Sequence, residues 1–221
     1  MSRVTVRPAQ ADDLSSIAHL LRQLYAAELP GALSGPVAGQ ENVLRFTLDA
    51  KNQRGLQRRY VACLADGQIV ATAAMEVPGE VPYERAPDGT IGMALKEMGY
   101  GPTLRLLLTV ARSMVGGYRP PLSNAAFLHS VVVDDSQRGQ GVGRALVHAM
   151  EAYALAAGYS SMLLQVLATN QPAQRLYAQL GYQQIWQSPP WSRLVSWPSY
   201  VLQKSLTGEL PKAKAPGLPS R

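Results

Sequence analysis

At 221 residues the chain is long enough to bury a sizeable core, and no apolar run in it approaches the ~20 residues of a membrane span. Its 47% hydrophobic residues are ordinary for a globular protein and its 16% charged residues fall below the typical ~25%, which excludes a disordered chain. The formal charge of +6 comes without a basic helix interleaved with aromatics, and Lys204, Lys212, Lys214 and Arg221 crowd the C-terminal end, so a polyanionic small molecule suits it better than nucleic acid or a membrane.

Val4 and Val6 alternate with polar neighbours up to Pro8 and predict a short first strand. Asp12 or Asp13 then caps a helix with Leu14, Ile17, Leu20, Leu21 and Leu24 on one face; His19, among them, reads as a partly buried structural histidine. Residues 28–39 are loop, and a second helix covers about 40–51. Runs at 59–65 and 68–77, joined by Asp66-Gly67, predict an antiparallel hairpin. Pro78, Pro82, Pro87 and Gly89 break regular structure before an apolar helix over 103–115, which Gly116-Gly117 closes and Pro120-Pro121 follows; its apolar sides call for burial against the domain or a partner subunit. Phe127 to Val133 is a strand, 142 to 157 a helix, and Ser161 to Leu167 a second buried strand. Together they form a βαβ unit with parallel strands. A short helix after Pro172 ends at Gly181, and strands at 182–187 and 200–206 flank a Pro- and Trp-rich loop. Residues 208–221 read as a disordered tail.

Cys63 is the sole cysteine, so neither a disulfide framework nor a Cys-based zinc site can form. No metal is called for. The N-terminus lacks the apolar core of a signal peptide, and the expected compartment is the cytoplasm.

The most informative stretch is Arg138-Gly139-Gln140-Gly141-Val142-Gly143, set between a strand and a helix. Its glycines let the backbone approach a ligand closely, and the helix start points N–H groups and a positive dipole end into the turn. Arg144-Ala145 follows Gly143, which rules out a P-loop; Arg144 and Leu146 stand where the third glycine of a dinucleotide fingerprint belongs.

What remains, Arg-x-x-Gly-x-Gly after Val131-Val132-Val133-Asp134, resembles the acetyl-CoA motif of the GNAT superfamily of N-acetyltransferases. Downstream, Asn170-Gln171-Pro172-Ala173 through Leu176-Tyr177 to Leu180-Gly181-Tyr182 resembles that family's second signature. The resemblance implies an α/β (α+β) fold: a mixed, mostly antiparallel sheet with a splayed parallel pair at its centre, flanking helices, and an extra helical insertion between the third and fourth strands. It covers residues 3–207 as one domain, with the insertion at about 78–122.

It also implies a reaction, the direct transfer of acetyl from acetyl-CoA to a primary amine in a ternary complex. The alternative is a catalytically inactive GNAT-like module that binds or senses acyl-CoA. Backbone groups of Val131, Val132 and Val133 would pair with the pantetheine arm, and Asn170 would bond it or cap the following helix. Backbone N–H groups of Arg138, Gly139, Gln140, Gly141, Val142 and Gly143 would hold the pyrophosphate, with Arg138 or Arg144 as counter-charge; Arg144 also reads as solvated surface. Tyr177 matches the family's general acid, unless it is simply core.

The base departs from the family pattern. His129 stands where a glutamate is common; it would act directly or through a water oriented by Ser130, or serve only as a strand residue, and Glu76 is the second candidate. Asp135 replaces a frequent proline in the turn. The acceptor would be a small-molecule or peptide amine, reached past the loops at 28–39 and 188–198, where Trp191 and Trp197 read as core or interface residues or as walls of the site; the inserted helix would cover that side or build a homodimer.

Overall fold

The computed structural model describes residues 4–49, 56–79, 86–113, 124–194 and 196–207. The tail, Pro82, the expected helix end at Lys51, and the Gly116-Gly117 and Pro120-Pro121 breaks lie outside the described residues.

Seven strands form one sheet in the order β1-β2-β3-β4-β5-β7-β6. They are β1 (Thr5–Pro8), β2 (Arg59–Cys63), β3 (Ile69–Glu76), β4 (Ala125–Val133), β5 (Ser161–Leu167), β6 (Gln183–Gln187) and β7 (Ser199–Ser205). Every neighbouring pair is antiparallel except β4 with β5. Pro8 ends an edge strand, where a missing N–H costs the sheet nothing. At the other edge β6 is mostly exposed and polar, as an edge open to water requires. The Asp66-Gly67 turn closes β2 onto β3: Gly67 adopts φ 87°, Leu64 N–H donates to the Gln68 carbonyl, and Gln68 N–H donates to Asp66 Oδ1.

Helices cover both faces. On one lie α1 (Leu14–Glu28) and α2 (Val37–Asp49), which bury Ile17, Leu20, Leu21, Leu24, Leu44 and Leu48 against Val61, Cys63 and Val132. On the other lie α5 (Val142–Ala156) and α6 (Gln171–Gln179), whose Leu146, Val147, Met150 and Tyr177 pack on Leu128, Met162, Leu164 and Val166. Asp13 precedes α1 but makes no side-chain cap bond to it. Its carboxylate instead takes both Arg7 guanidinium nitrogens, at 2.6 and 2.9 Å, and the Gln10 N–H, tying β1 to the helix start.

The insertion between β3 and β4 departs from expectation, because it holds α3 (Thr90–Met98) as well as α4 (Tyr100–Ser113). Pro87 and Gly89 begin a helix here instead of interrupting one: Gly89 is the N-cap at φ 91°, and Thr90 Oγ1 donates to the Pro87 carbonyl. Ala94 and Met98 pack on Val43 of α2. The approach requires Gly39, where a Cβ would collide with the Glu97 carbonyl. The outward face of α4 is not buried in the protomer, with Leu104 60% and Leu108 63% exposed. Among the described residues no helix is long and apolar enough to cross a membrane.

Candidate active site

The site begins where the parallel strands part. Ala125 to Leu128 of β4 pair with Ser161 to Leu164 of β5, and the pairing stops there. β5 continues along β7 as far as Leu167 opposite Ser199, while β4 continues along β3. The divergence starts at a bulge. Ala74 faces His129 and Thr72 faces Val132, so Ser130 and Val131 together oppose Ala73, and Ser130 sits in the left-handed region at φ 53°. The extra residue shifts the alternation: Val131 and Val133 join Leu128 on the α5 face, and Val132 enters the α1 core. A wedge therefore opens between residues 130–133 and 165–167, walled by strand backbone whose hydrogen-bonding groups face an extended ligand as they would another strand.

One end of the wedge is the glycine turn. Asp134 N–H donates to the Val70 carbonyl, and its Oδ1 accepts from the Ser136 N–H and hydroxyl; these bonds hold its carboxyl below the usual range. Gln23 of α1 braces the same turn, donating to Asp134 Oδ2 and accepting from Asp135 N–H. Gly139 and Gly141 adopt φ 77° and 84°, conformations that disfavour any residue with a Cβ, and Gly141 is the N-cap of α5. Gly143 lies against Val133 and Leu176, where a Cβ would meet their methyls at 3.4 and 3.5 Å. Among the described residues no acceptor takes the N–H groups of Gly139, Gly141, Val142 or Gly143. Those donors, at the positive end of α5, make a nest for a polyanion.

The two arginines of the turn are both anchored. Arg138 pairs with Asp135, the residue that replaces proline, and its Nε reaches toward the Val133 carbonyl at 3.4 Å. Arg144 donates to Gln179 Oε1 at 2.7 Å, which docks α6 on α5.

At the other end of the wedge stand Asn170, Tyr177 and a residue that the sequence reads as the start of a loop, Glu28. Asn170 is the N-cap of α6 and accepts from Ala173 N–H at 3.2 Å, so the capping role holds. Its amide donates to Glu28 Oε1 at 3.3 Å. Tyr177 is buried with its ring edge-on to Tyr182 at 5.6 Å. Burial, and then the charge of Glu28, push its hydroxyl pKa well above the ordinary value, so the phenol stays protonated, the form that donates. Tyr177 comes from the α6 face and Glu28 from the α1 face, and the charge of Glu28 reaches the tyrosine hydroxyl past the point where β4 and β5 part.

The candidate bases lie farther along the α1 face. Glu76 faces Phe127 and His129 faces Ala74, so the two are diagonal neighbours on one side of the sheet. His129 Nδ1 lies 3.1 Å from Ser130 Oγ, next to the bulge. Of the loop tryptophans, Trp191 is exposed and Trp197 lies under the Arg112 guanidinium at 4.5 Å, which ties α4 to the loop before β7. His19 is structural in the sense expected, but its partners come from afar: Nδ1 meets Glu41 of α2 at 3.0 Å, and Nε2 faces Gln23 and Asp134.

A strand splayed from its parallel neighbour at a bulge and running into a glycine-nested helix start has a counterpart among known proteins: residues 19–182 match the acetyltransferase (GNAT) family. The chain belongs to this family. Its fold is that of solved GNAT relatives. An acetyltransferase structure aligns with 91% of this chain and 99% of its own at TM-score 0.62 and 24% identity. A histone acetyltransferase HPA2 and related acetyltransferase from Corynebacterium glutamicum covers 96% and 99%, at TM-score 0.62 and 20% identity. The yncA protein of Salmonella typhimurium, solved with its cofactor acetyl-CoA, covers 97% and 99% at TM-score 0.55 and 18% identity. No curated protein matches the sequence.

By sequence, Glu28 of this GNAT chain starts an acceptor-side loop; in the structure it is instead the last residue of α1, and its contact with Asn170 had no signal in the sequence. It closes an amphipathic helix before a Pro-Gly loop, and its distance of more than a hundred residues from Asn170 along the chain is bridged only by the sheet topology.

Proposed function

We propose that the protein is an N-acetyltransferase that moves acetyl from acetyl-CoA to a primary amine by direct transfer in a ternary complex. The observation that carries this reading is the wedge itself, with a nest of backbone N–H donors at one end and a buried, protonated tyrosine at the other. Bound there, acetyl-CoA supplies an activated acetyl thioester. Backbone N–H groups of residues 138–143 hold its pyrophosphate, with Arg138 or Arg144 as counter-charge. Arg144, bonded among the described residues only to the neutral Gln179 amide, keeps its charge uncompensated, whereas Arg138 is paired with Asp135. Backbone groups of Val131 to Val133 and the Asn170 amide hold the pantetheine arm in the strand gap. Tyr177 Oη keeps a proton available for the departing sulfur.

His129, with Ser130 orienting a water, or Glu76, receives the proton that the amine must lose. Holding amine and thioester side by side supplies much of the rate by itself. The reading takes the cytoplasm as the compartment, in keeping with the single buried thiol of Cys63. The exposed leucines of α4 serve as a homodimer contact in this reading, and a monomer in sedimentation would refute it.

The test is an amine panel with CoA thiol release as readout. Amine-dependent release is expected; protection of the fold by acetyl-CoA without release from any amine would refute transfer.

A further inference from the structure

Glu28 is placed where a negative charge is poorly supported. It is the last residue of α1, at the negative end of the helix dipole, and the last turn of that helix carries no basic residue. It is half-buried, and burial pushes its carboxyl above the ordinary value despite the Asn170 hydrogen bond. Among the described residues no lysine, arginine or histidine forms an ion pair with it, and Oε2 accepts no hydrogen bond. Partial burial makes the charge costly, while Oε2, which is not among the buried unpartnered atoms, stays accessible to a cation from solution.

Its position says which cation. The contact with Asn170 sets Glu28 at the pantetheine end of the wedge, and the hydroxyls of Tyr177 and Tyr25 both feel its charge. Tyr177 is the residue beside the departing sulfur, so a cation on Oε2 would lie next to the reacting thioester. The loop that follows Glu28, residues 29–36, buries Ala32 and sets Gly31 and Gly35 against Arg105, Met98 and Pro102 of the inserted helices, so the insertion flanks the same end of α1.

We propose that Glu28 is the acceptor-binding carboxylate: it pairs with the ammonium of a primary alkylamine beside Tyr177, and thereby selects acceptors that are cationic at neutral pH over amines that are neutral there. The inference rests on the acetyl-transfer reading and extends it to the class of acceptor. Glu28 binds and orients the ammonium; removal of its proton remains with the base on the sheet.

The variant Glu28→Gln is close to isosteric and still accepts from Asn170 through its amide oxygen, so the cofactor side is preserved. Wild type and E28Q would be compared at saturating acetyl-CoA with ethanolamine, benzylamine and spermidine as cationic probes and aniline and benzhydrazide as neutral ones, by thiol release. Thermal unfolding with and without acetyl-CoA serves as the readout independent of turnover. The expected result is a loss in kcat/KM of roughly 10- to 100-fold for the cationic probes, from one charge-assisted contact. The neutral probes should change by less than about threefold, and acetyl-CoA protection should be equal in the two proteins. Equal losses for both probe classes, no loss at all, or a wild-type preference for the neutral probes would overturn the inference and leave acetyl transfer standing. A wild type that releases no thiol with any probe would overturn both.

Discussion

Replacing Tyr177 with Phe separates chemistry from folding at one atom. The ring is buried and packs edge-on against Tyr182, and Phe keeps that packing. No hydrogen bond to the Tyr177 hydroxyl joins it to another described residue, so its removal forfeits none. The hydroxyl is not among the buried unpartnered side-chain atoms, so it keeps contact with water, and Y177F should match wild type in stability to within about 1 kcal/mol. In a domain of this size that keeps Tm within about 2–4 °C of wild type. Turnover should behave differently. Loss of a general acid lowers kcat by roughly 10²-fold or more, while acetyl-CoA protection against unfolding stays the same. Steady-state thiol release and thermal unfolding on the same preparation read both quantities. A kcat within about threefold of wild type, or a fall in Tm together with weaker cofactor protection, would assign Tyr177 to packing and refute its place beside the sulfur.

Gly141→Ala forces a Cβ into φ 84° at the N-cap of α5; it should cost about 1–2 kcal/mol of stability and weaken acetyl-CoA binding about tenfold or more by calorimetry. Unchanged binding would show that the N–H nest does not hold the pyrophosphate. Asp13→Asn breaks the two-pronged pair with the half-exposed Arg7 and should cost about 1–2 kcal/mol in urea unfolding at pH 7. Because the Arg7 hydrogen bond holds the Asp13 carboxyl below its ordinary value, that stability is full above the unfolded pKa near ~3.9 and is lost as pH falls through the folded value. The gap between wild type and D13N should therefore close in acid, and a gap constant with pH would contradict the assignment. Glu28 has the opposite sign, since burial raises its pKa: its contribution is full below the unfolded pKa near ~4.3 and is lost as pH rises through the folded one. Without ligand, E28Q should then melt above wild type at pH 7, with the difference fading toward pH 4; the reverse order would show that the charge is already paired in the protein.

The glycine turn, the helix after it and β5 were legible because each rests on a local signal: an apolar run, a spacing of glycines, a helix start. The order of motifs then carried the fold. The bulge at Ser130 was not legible, since an unbroken valine run reads as regular strand and the left-handed residue is a serine. Helix α3 was hidden because Pro87 and Gly89 serve equally as breakers and as a helix start, and the docking at Gly39 that favours the second role is a tertiary contact. At the site, Asn170 and Tyr177 were visible through their motif. Glu28 was legible only as the first residue of an acceptor-side loop; its contact with Asn170 was not, because nothing near it in sequence brings α1 and α6 together. The partners of His19 escaped for the same reason, arriving from α2 and from the end of β4.

The central claim, that the wedge and its glycine nest hold acetyl-CoA, is tested most directly by thermal unfolding of the protein with acetyl-CoA. At about 100 times Kd the account predicts about 2.7 kcal/mol of added stability, a rise of several degrees in Tm that Gly141→Ala diminishes. A Tm that millimolar acetyl-CoA leaves unmoved would contradict it.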